Sequence, residues 1–396
     1  MKKKICFVNC SSGGSTGNII KNLASFCADD FEYCYILGDK INNDHALSLS
    51  YTPFKYKIAR LQTFLFGNDG FLSLFYRNKI RKFLEIEKPD LIHLHNVHRS
   101  FCNLEVIFNY ALKHNIKIVW TLHDEWILTG RCCYSQECKK WVNGCSKCEH
   151  KDYYPKSLFD HSSKFYKKKR HLIDKVKSNL VLVTPSKWLN DEVKCFNVES
   201  YVFNNGIDTT VFKPTTPNSK ILKNANGRII VGGAALFFNS LKGGDTFKQL
   251  ADKLDPTKYF IVLIGSEKQE IEYIKDNFVI MPKTSSIEEM ASFYSSLDVF
   301  INPTKADNYP TTHLESISCG TPVISFDVGG ATEMIKDGET GFSVKYSQVD
   351  DIISKIEFIS RNRSKFERKD IEKKSNFSRD VFCTQYRDLY LKLLKR

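Results

Sequence analysis

The feature that most constrains this chain is a rhythm of short, continuous apolar runs. Runs of five to seven residues, rich in Val, Ile and Leu, recur at 4–9, 90–95, 116–122, 180–185, 228–232, 259–265, 299–303 and 322–326. Unbroken apolar runs of this length suit strands buried on both faces, not strands with one wet face. Amphipathic segments with helical spacing lie between them, at 18–27, 75–87, 103–114 and 287–296. Strand alternating with helix predicts parallel sheets covered by helices.

The rhythm occurs twice, over about 4–185 and again over about 228–345. Between the two series lie Asn204-Asn-Gly-Ile-Asp208, Phe212-Lys-Pro214 and a polar stretch at 215–227, a turn-rich, linker-like composition. The fold class expected is therefore α/β, with two Rossmann-like, doubly wound parallel-sheet domains facing a central cleft. We divide the chain into 1–207, 208–376 and a terminal segment 377–396. Tyr386, Tyr390 and Leu393 give that last segment the look of a helix packing back on the first domain. In such domains ligands bind outside the carboxyl ends of the strands.

Composition removes several classes. The 396 residues are 42 % hydrophobic and 26 % charged, an ordinary globular mix that excludes disordered and collagen-like chains. The apolar run from Ile5 to Val8 is too short for a secretory signal, and no run approaches the roughly 20 apolar residues of a membrane span. The net charge of +13 is uneven: +11 over residues 1–200, −4 over 201–350 and +6 over 351–396. A basic first half calls for an anionic partner or a solvated surface. Two basic runs stand out, 77–82 and 164–170, readable as solvated helix faces or as sites for anionic lipid headgroups.

The densest chemistry lies at 298–344. Asp298-Val-Phe-Ile-Asn-Pro303 reads as a strand. Asp307-Asn-Tyr-Pro-Thr-Thr-His-Leu-Glu315 reads as a loop and a helix starting near Pro310. Cys319-Gly-Thr-Pro322, Gly329-Gly-Ala-Thr-Glu333 and Asp337-Gly-x-x-Gly341 follow. A helix start offers free N–H groups and a positive dipole end, which suit a diphosphate. Asp307 and Glu315 bracket that start and can meet the hydroxyls of a ligand seated on it. Upstream, Gly232-Gly-Ala-Ala ends a strand and Lys242-Gly243 follows. A Lys-Gly pair taken alone reads equally well as a surface turn.

This stretch resembles the retaining glycosyltransferases of family 4, bacterial surface-polysaccharide type, which have the GT-B fold. The resemblance covers nearly the whole chain. It implies that Asp307 meets the donor sugar, that Glu315 meets the nucleotide ribose and that Lys242 neutralises the donor diphosphate. Asp stands where Glu is commoner in the family, a reach one methylene shorter. The family's second diphosphate cation, an Arg, is missing: its place falls within Ala235-Leu236-Phe237. The donor-binding set is then Gly14 of the loop Ser11–Gly17, Lys242, Gly243, Asn308, Tyr309, Pro310, Thr311, Thr312 and Glu333. Two strand ends carry histidines, Asp90-Leu-Ile-His-Leu-His95 and Thr121-Leu-His123-Asp124-Glu-Trp126. The resemblance places His123 beside the reacting sugar. His95 and Asp124 are taken as acceptor-side, with structural hydrogen bonding the other reading of His95; His93, inside its strand, reads as a core residue.

Thirteen cysteines are present, and five of them, Cys132, Cys133, Cys138, Cys145 and Cys148, cluster in an insertion at 130–150. Their knuckle-like spacing suits tetrahedral zinc held by Cys132 or Cys133 with Cys138, Cys145 and Cys148. Reduced cysteines and disulfides are the other readings. The scattered remainder, Cys6, Cys27, Cys102 and Cys319 among them, reads as core in a reducing compartment.

The resemblance implies a transferase that moves a sugar from a UDP-, GDP- or dTDP-sugar to a glycan acceptor. That acceptor is expected to be lipid-linked through a diphosphate, with no catalytic metal and no nucleic-acid partner. The expected setting is cytoplasmic, peripheral on the anionic inner face of the membrane. A sugar-nucleotide epimerase of the same fold is the alternative within enzymes. A zinc-containing nucleic-acid-binding protein is the alternative outside them, which the acid pair opposes.

Overall fold

The computed structural model describes residues 2–49, 53–71, 74–265 and 275–395. They form two compact units, the first from 2–204 with 382–395, the second from 205–381. The first unit contains a seven-stranded parallel sheet: β1 (Lys3–Asn9), β2 (Phe31–Leu37), β3 (Ala46–Ser48), β4 (Leu91–Leu94), β5 (Lys117–Thr121), β6 (Leu180–Thr184) and β7 (Glu199–Val202), in the order β3-β2-β1-β4-β5-β6-β7. The second contains six parallel strands: β8 (Ile229–Ala234), β9 (Tyr259–Gly265), β10 (Phe278–Pro282), β11 (Val299–Asn302), β12 (Val323–Phe326) and β13 (Gly341–Val344), in the order β10-β9-β8-β11-β12-β13. Both orders reverse direction at the first strand of the unit, the switch point at which doubly wound sheets bind ligands.

The continuous apolar runs are the central strands: β4 and β6 are buried at every position, and β9 along all seven residues. Sequence reading missed β2, β3, β7, β10 and β13. Polar and part-exposed residues interrupt most of these, as Glu32 and Tyr33 do in β2 and Glu199 at the rim in β7. A strand with one covered face lacks the unbroken signature of a central one.

Helix Arg379–Leu394 closes the first unit. Phe382, Cys383, Tyr386, Leu389, Tyr390 and Leu393 share a core with Ile5, Phe7, Ile19, Leu91 and Val183. Two of its polar bonds are buried too, and a third lies at the rim. The Tyr390 hydroxyl meets His93 Nδ1 at 2.6 Å, and the Tyr386 hydroxyl meets Thr121 Oγ1 at 2.7 Å. Arg387 forks onto Asp30 at 2.6 and 3.0 Å. His93 is thus wholly buried and serves as the socket for this helix.

The basic run at 164–170 lies on helix Ser162–Val176, where Lys164 and Lys167 are exposed and the other three basic side chains are engaged. Lys168 is paired with Glu105 at 3.1 Å, Arg170 lies over the Phe196 ring, and Lys169 is buried at 1 % exposure. Arg77, Arg81 and Lys82 of helix Leu74–Glu87 are exposed. Among the described residues no helix is long and apolar enough to cross a membrane.

Candidate functional site

In the second unit two loops leave the carboxyl ends of adjacent strands β8 and β11 and are laced together. Lys305 N–H donates to the Leu241 carbonyl at 2.8 Å, and Lys305 Nζ to Ser240 Oγ at 2.7 Å. This lacing brings Lys242 to Asp307, Nζ to Oδ2 at 2.8 Å, with both side chains part-exposed. Gly243 makes the approach possible. Its φ is +74°, and a Cβ there would lie 2.3 Å from the Pro303 carbonyl oxygen. The next residue, Gly244, opens helix Gly244–Lys253.

The chain then runs through Asn308 and Tyr309, both buried, to Pro310, which caps helix Thr311–Ser318. Pro310 itself is extended, with φ −67° and ψ 123°, so the helix starts at Thr311 and its first-turn N–H groups are those of Thr311 and Thr312 onward. Asn205 Nδ2 donates to the Tyr309 carbonyl at 3.0 Å and holds the loop from below. Glu315 sits on the second turn, half-buried. The Tyr294 hydroxyl donates to its Oε2 at 2.8 Å, and the Thr311 hydroxyl also reaches it. Burial pushes the Glu315 carboxyl up, and those two hydroxyls oppose the shift. His313, on the opposite face, is fully buried. Its Nδ1–H donates to the Ala331 carbonyl at 2.9 Å, so Nε2 accepts from Asn302 Nδ2 at 2.8 Å. Burial lowers its pKa to about 4, leaving it neutral. This neutral ring ties β11 to the turn Gly329-Gly330-Ala331, on which Glu333 is exposed near enough to Tyr309 to bear on its hydroxyl.

In the first unit the candidate loop follows β1. Gly14 has φ +69° and starts helix Gly14–Phe26. The Asp39 carboxylate takes the Ser12 N–H and the Ser11 and Ser12 hydroxyls, while Asn9 Nδ2 donates to the Ser11 carbonyl. At the ends of β4 and β5, His95 Nδ1 and His123 Nε2 share a hydrogen bond of 2.9 Å. His123 is half-buried and lowered by burial to about 4; His95, at 1 % exposure, is also lowered by burial, well below its ordinary value. Both rings are neutral at physiological pH. The sequence reads His95 and Asp124 as acceptor-side, with structural hydrogen bonding the other reading of His95. Both are buried: His95 bonds to His123, in keeping with that other reading, and Asp124 is bonded to His98 Nε2 at 2.7 Å and takes the Trp126 N–H. Sequence reading missed His98, whose pKa burial lowers but Asp124 and Asp69 together raise above its ordinary value.

The cysteine insertion splits into two environments. Cys132, Cys138, Cys145 and Cys148 line one cavity of about 30 Å³, together with Arg131. Cys133 points elsewhere, into the core beside His98 and Asp124. Among the described residues His98, Asp124 and Cys133 are the one trio whose donor atoms lie within 4.8 Å of one another. His98 Nε2 and Asp124 Oδ2 are already bonded to each other at 2.7 Å, so this trio reads as a hydrogen-bonded pair with a thiol neighbour. No three cavity sulfurs come that close. All thirteen cysteines are free, eight of them buried and Cys195 exposed. Two buried basic side chains flank the cavity cysteines: Arg131, bonded to the Tyr153, Pro155 and His150 carbonyls, and Lys169, bonded to the Trp126 carbonyl and lowered by burial to a pKa of about 7. Neither forms a carboxylate ion pair among the described residues. The insertion also braces the strand end, because Glu125 N–H donates to the Cys133 carbonyl and Glu125 accepts from Ser135.

Two family models match, Glycosyltransferase Family 4 over residues 45–211 and Glycosyl transferases group 1 over residues 219–376. The chain is 25 % identical over 348 residues to WcaC of Escherichia coli (strain K12), named as a colanic acid biosynthesis glycosyl transferase, covering 83 % of this chain and 84 % of that one. It is 26 % identical over 147 residues to the capsular polysaccharide biosynthesis glycosyltransferase CapM of Staphylococcus aureus, 34 % of this chain and 38 % of that one. Among solved structures it is similar to sucrose-phosphate synthase of Thermosynechococcus elongatus, at TM-score 0.72 and 14 % identity over the whole of both chains. It is also similar to Anabaena HepE solved with UDP and glucose, at TM-score 0.68 and 14 % identity over 98 % of this chain and 99 % of that one.

Proposed function

Because the chain belongs to the family 4 glycosyltransferases of GT-B fold, we propose that it moves a sugar, with retention, from a nucleoside-diphosphate sugar to a lipid-linked glycan in cell-surface polysaccharide synthesis. The observation behind this reading is the Lys242–Asp307 pair beside the capped start of helix Thr311–Ser318, with Glu315 one turn on. Lys242 and the Thr311 and Thr312 N–H groups suit the departing diphosphate, where fixed donors lower the barrier most. Asp307 suits donor-sugar hydroxyls and Glu315 the ribose. The acceptor oxygen bonds to the anomeric carbon as the carbon–phosphate oxygen bond breaks, and its proton passes to the departing phosphate. Neutral His123 is suited to hold a sugar hydroxyl by a hydrogen bond. UDP in the HepE complexes supports a UDP-sugar donor, with GDP- and dTDP-sugars as the alternatives. The relatives named for colanic acid and capsule support a surface-polysaccharide acceptor.

We assign Cys132, Cys138, Cys145 and Cys148 as ligands of a structural zinc, with Cys133 left in the core. One cavity gathers the four thiols of the expected ligand set, whose sulfurs would draw closer on binding the ion, and the buried Arg131 guanidinium suits the negative charge of thiolate ligands. The ion would stiffen the loop carrying His123 and take no part in the chemistry. Elemental analysis should find about one zinc per chain, lost in Cys145→Ser and kept in Cys133→Ser. A metal-free, fully active preparation would remove the assignment.

The transferase reading is tested by incubating the full chain with a panel of UDP-, GDP- and dTDP-sugars and following nucleotide release, with and without membrane lipid extract. Lipid-dependent release from one donor is expected. Accumulation of an epimerised nucleotide sugar without transfer would replace this reading with the epimerase one.

A further inference from the structure

Helix Pro53–Phe66 of the first unit is turned inside out. Among its described side chains the buried ones are Ala59 and Thr63, at 2 % and 5 % exposure, and the Thr63 hydroxyl accepts from Ser100 Oγ at 2.9 Å. Phe54, Leu61 and Phe64 are 73 %, 55 % and 45 % exposed. At 3.6 residues per turn, Phe54, Lys57, Leu61 and Phe64 fall on one stripe with Arg60 on its flank, and Lys57 and Arg60 are exposed as well.

The apolar face extends beyond the helix. Leu158 N–H donates to the Phe64 carbonyl at 2.6 Å and Phe159 N–H to the Leu65 carbonyl at 3.2 Å. Leu158 and Phe159 are themselves half exposed. Exposed aromatic and aliphatic side chains gathered on two backbone-paired segments mark an interaction surface.

Charge selects the occupant. Residues 53–66 contain Lys55, Lys57 and Arg60 and no acid. A helix with an apolar face, basic flanks and no acid matches the boundary between anionic headgroups and acyl chains.

We propose that this face docks the first unit onto an anionic lipid bilayer. Phe54, Leu61, Phe64, Leu158 and Phe159 enter the headgroup boundary, and Lys57 and Arg60 pair with lipid phosphates. The site deepens the reading of a lipid-linked acceptor and rests on it for its purpose. It also moves the membrane-facing surface away from the run at 164–170, where Lys168, Lys169 and Arg170 are already engaged.

The test uses the full chain in co-sedimentation with phosphatidylcholine vesicles, alone or with about 30 % phosphatidylglycerol. The wild type should partition onto the anionic vesicles, and less so at high salt. Phe54→Ser with Leu61→Ser and Phe64→Ser should weaken partition about tenfold or more. Lys57→Glu with Arg60→Glu should erase the preference for anionic vesicles. Nucleotide-sugar hydrolysis without vesicles should be unchanged in both variants, which shows that they are folded.

Equal vesicle binding by the triple variant would overturn the proposal, as would a wild type that ignores both vesicle types. So would light scattering that shows a wild-type dimer dissociated by the triple substitution, since a second copy would then cover the face. Vesicle binding that depends on the stripe, alongside failure to glycosylate any lipid acceptor, would uphold the docking and overturn the lipid-linked acceptor instead.

Discussion

Glu315 is a carboxylate held ready by its neighbours. The Tyr294 and Thr311 hydroxyls orient it while burial raises its pKa. Replacing it with Gln keeps the shape and removes the charge. We expect Glu315→Gln to lower transfer by about 10²-fold or more with an unchanged circular dichroism spectrum; near wild-type transfer would exclude Glu315 from donor binding. His313 gives a prediction about stability. Its native pKa of about 4 lies below the ordinary 6.5 of the unfolded chain. Between those values the unfolded state takes up a proton that the native state refuses, so this residue's contribution falls as pH falls. At pH 5 the penalty is about 2 kcal/mol. The stability advantage of wild type over His313→Asn in urea unfolding should therefore shrink by about that amount between pH 7 and pH 5. A constant gap would show that His313 titrates normally. Lys242, Asp307 and Glu315 were legible in the sequence because they belong to one recurrent motif set. Tyr294, His313 and Asn205 were not, because each acts through a partner 21, 18 or 104 residues away, brought close only by the sheet.

At the scale of elements, the lacing between the loops after β8 and β11 makes the second-unit site one object. Gly243 is its tightest point. Gly243→Ala would put a methyl group against the Pro303 carbonyl and force an alanine into a left-handed backbone. We expect about 1–3 kcal/mol of lost stability, with weaker protection of the protein by UDP in thermal shift. An unchanged melting curve would mean that the loops do not need each other. The central strands and the helix start near Pro310 could be read from the sequence, since burial on both faces and a proline in the first turn leave strong local signals. The rim strands β3 and β7 could not, because neither has a buried position and each owes its conformation to a neighbour's free edge. The cysteine insertion was legible as a cluster. The separation of Cys132 from Cys133 was not, because adjacent residues point to opposite sides only once the backbone is fixed.

For the whole molecule, the division of charge sharpens when the units are known. The +11 of residues 1–200 is joined by +3 from 382–396, and the remaining basic excess of the tail belongs to the second unit. The terminal helix is held to the first unit by buried polar bonds as well as by its apolar face. Tyr390→Phe would leave His93 Nδ1 without its 2.6 Å partner in a fully buried place. The cost should be about 1–3 kcal/mol in chemical denaturation, and a variant as stable as wild type would show that the bond adds nothing net. The same helix sets a timetable for synthesis. Arg387 meets Asp30 across 357 residues, and the core around Ile5 and Phe7 stays open until the ribosome has made all of 205–381. At ordinary elongation rates that wait lasts ~10–35 s. The second unit, contiguous in sequence, can fold as it emerges, while the first and earlier-made unit must wait with an exposed apolar face for its last piece. Nascent chains halted before residue 382 should therefore be the ones that chaperones hold.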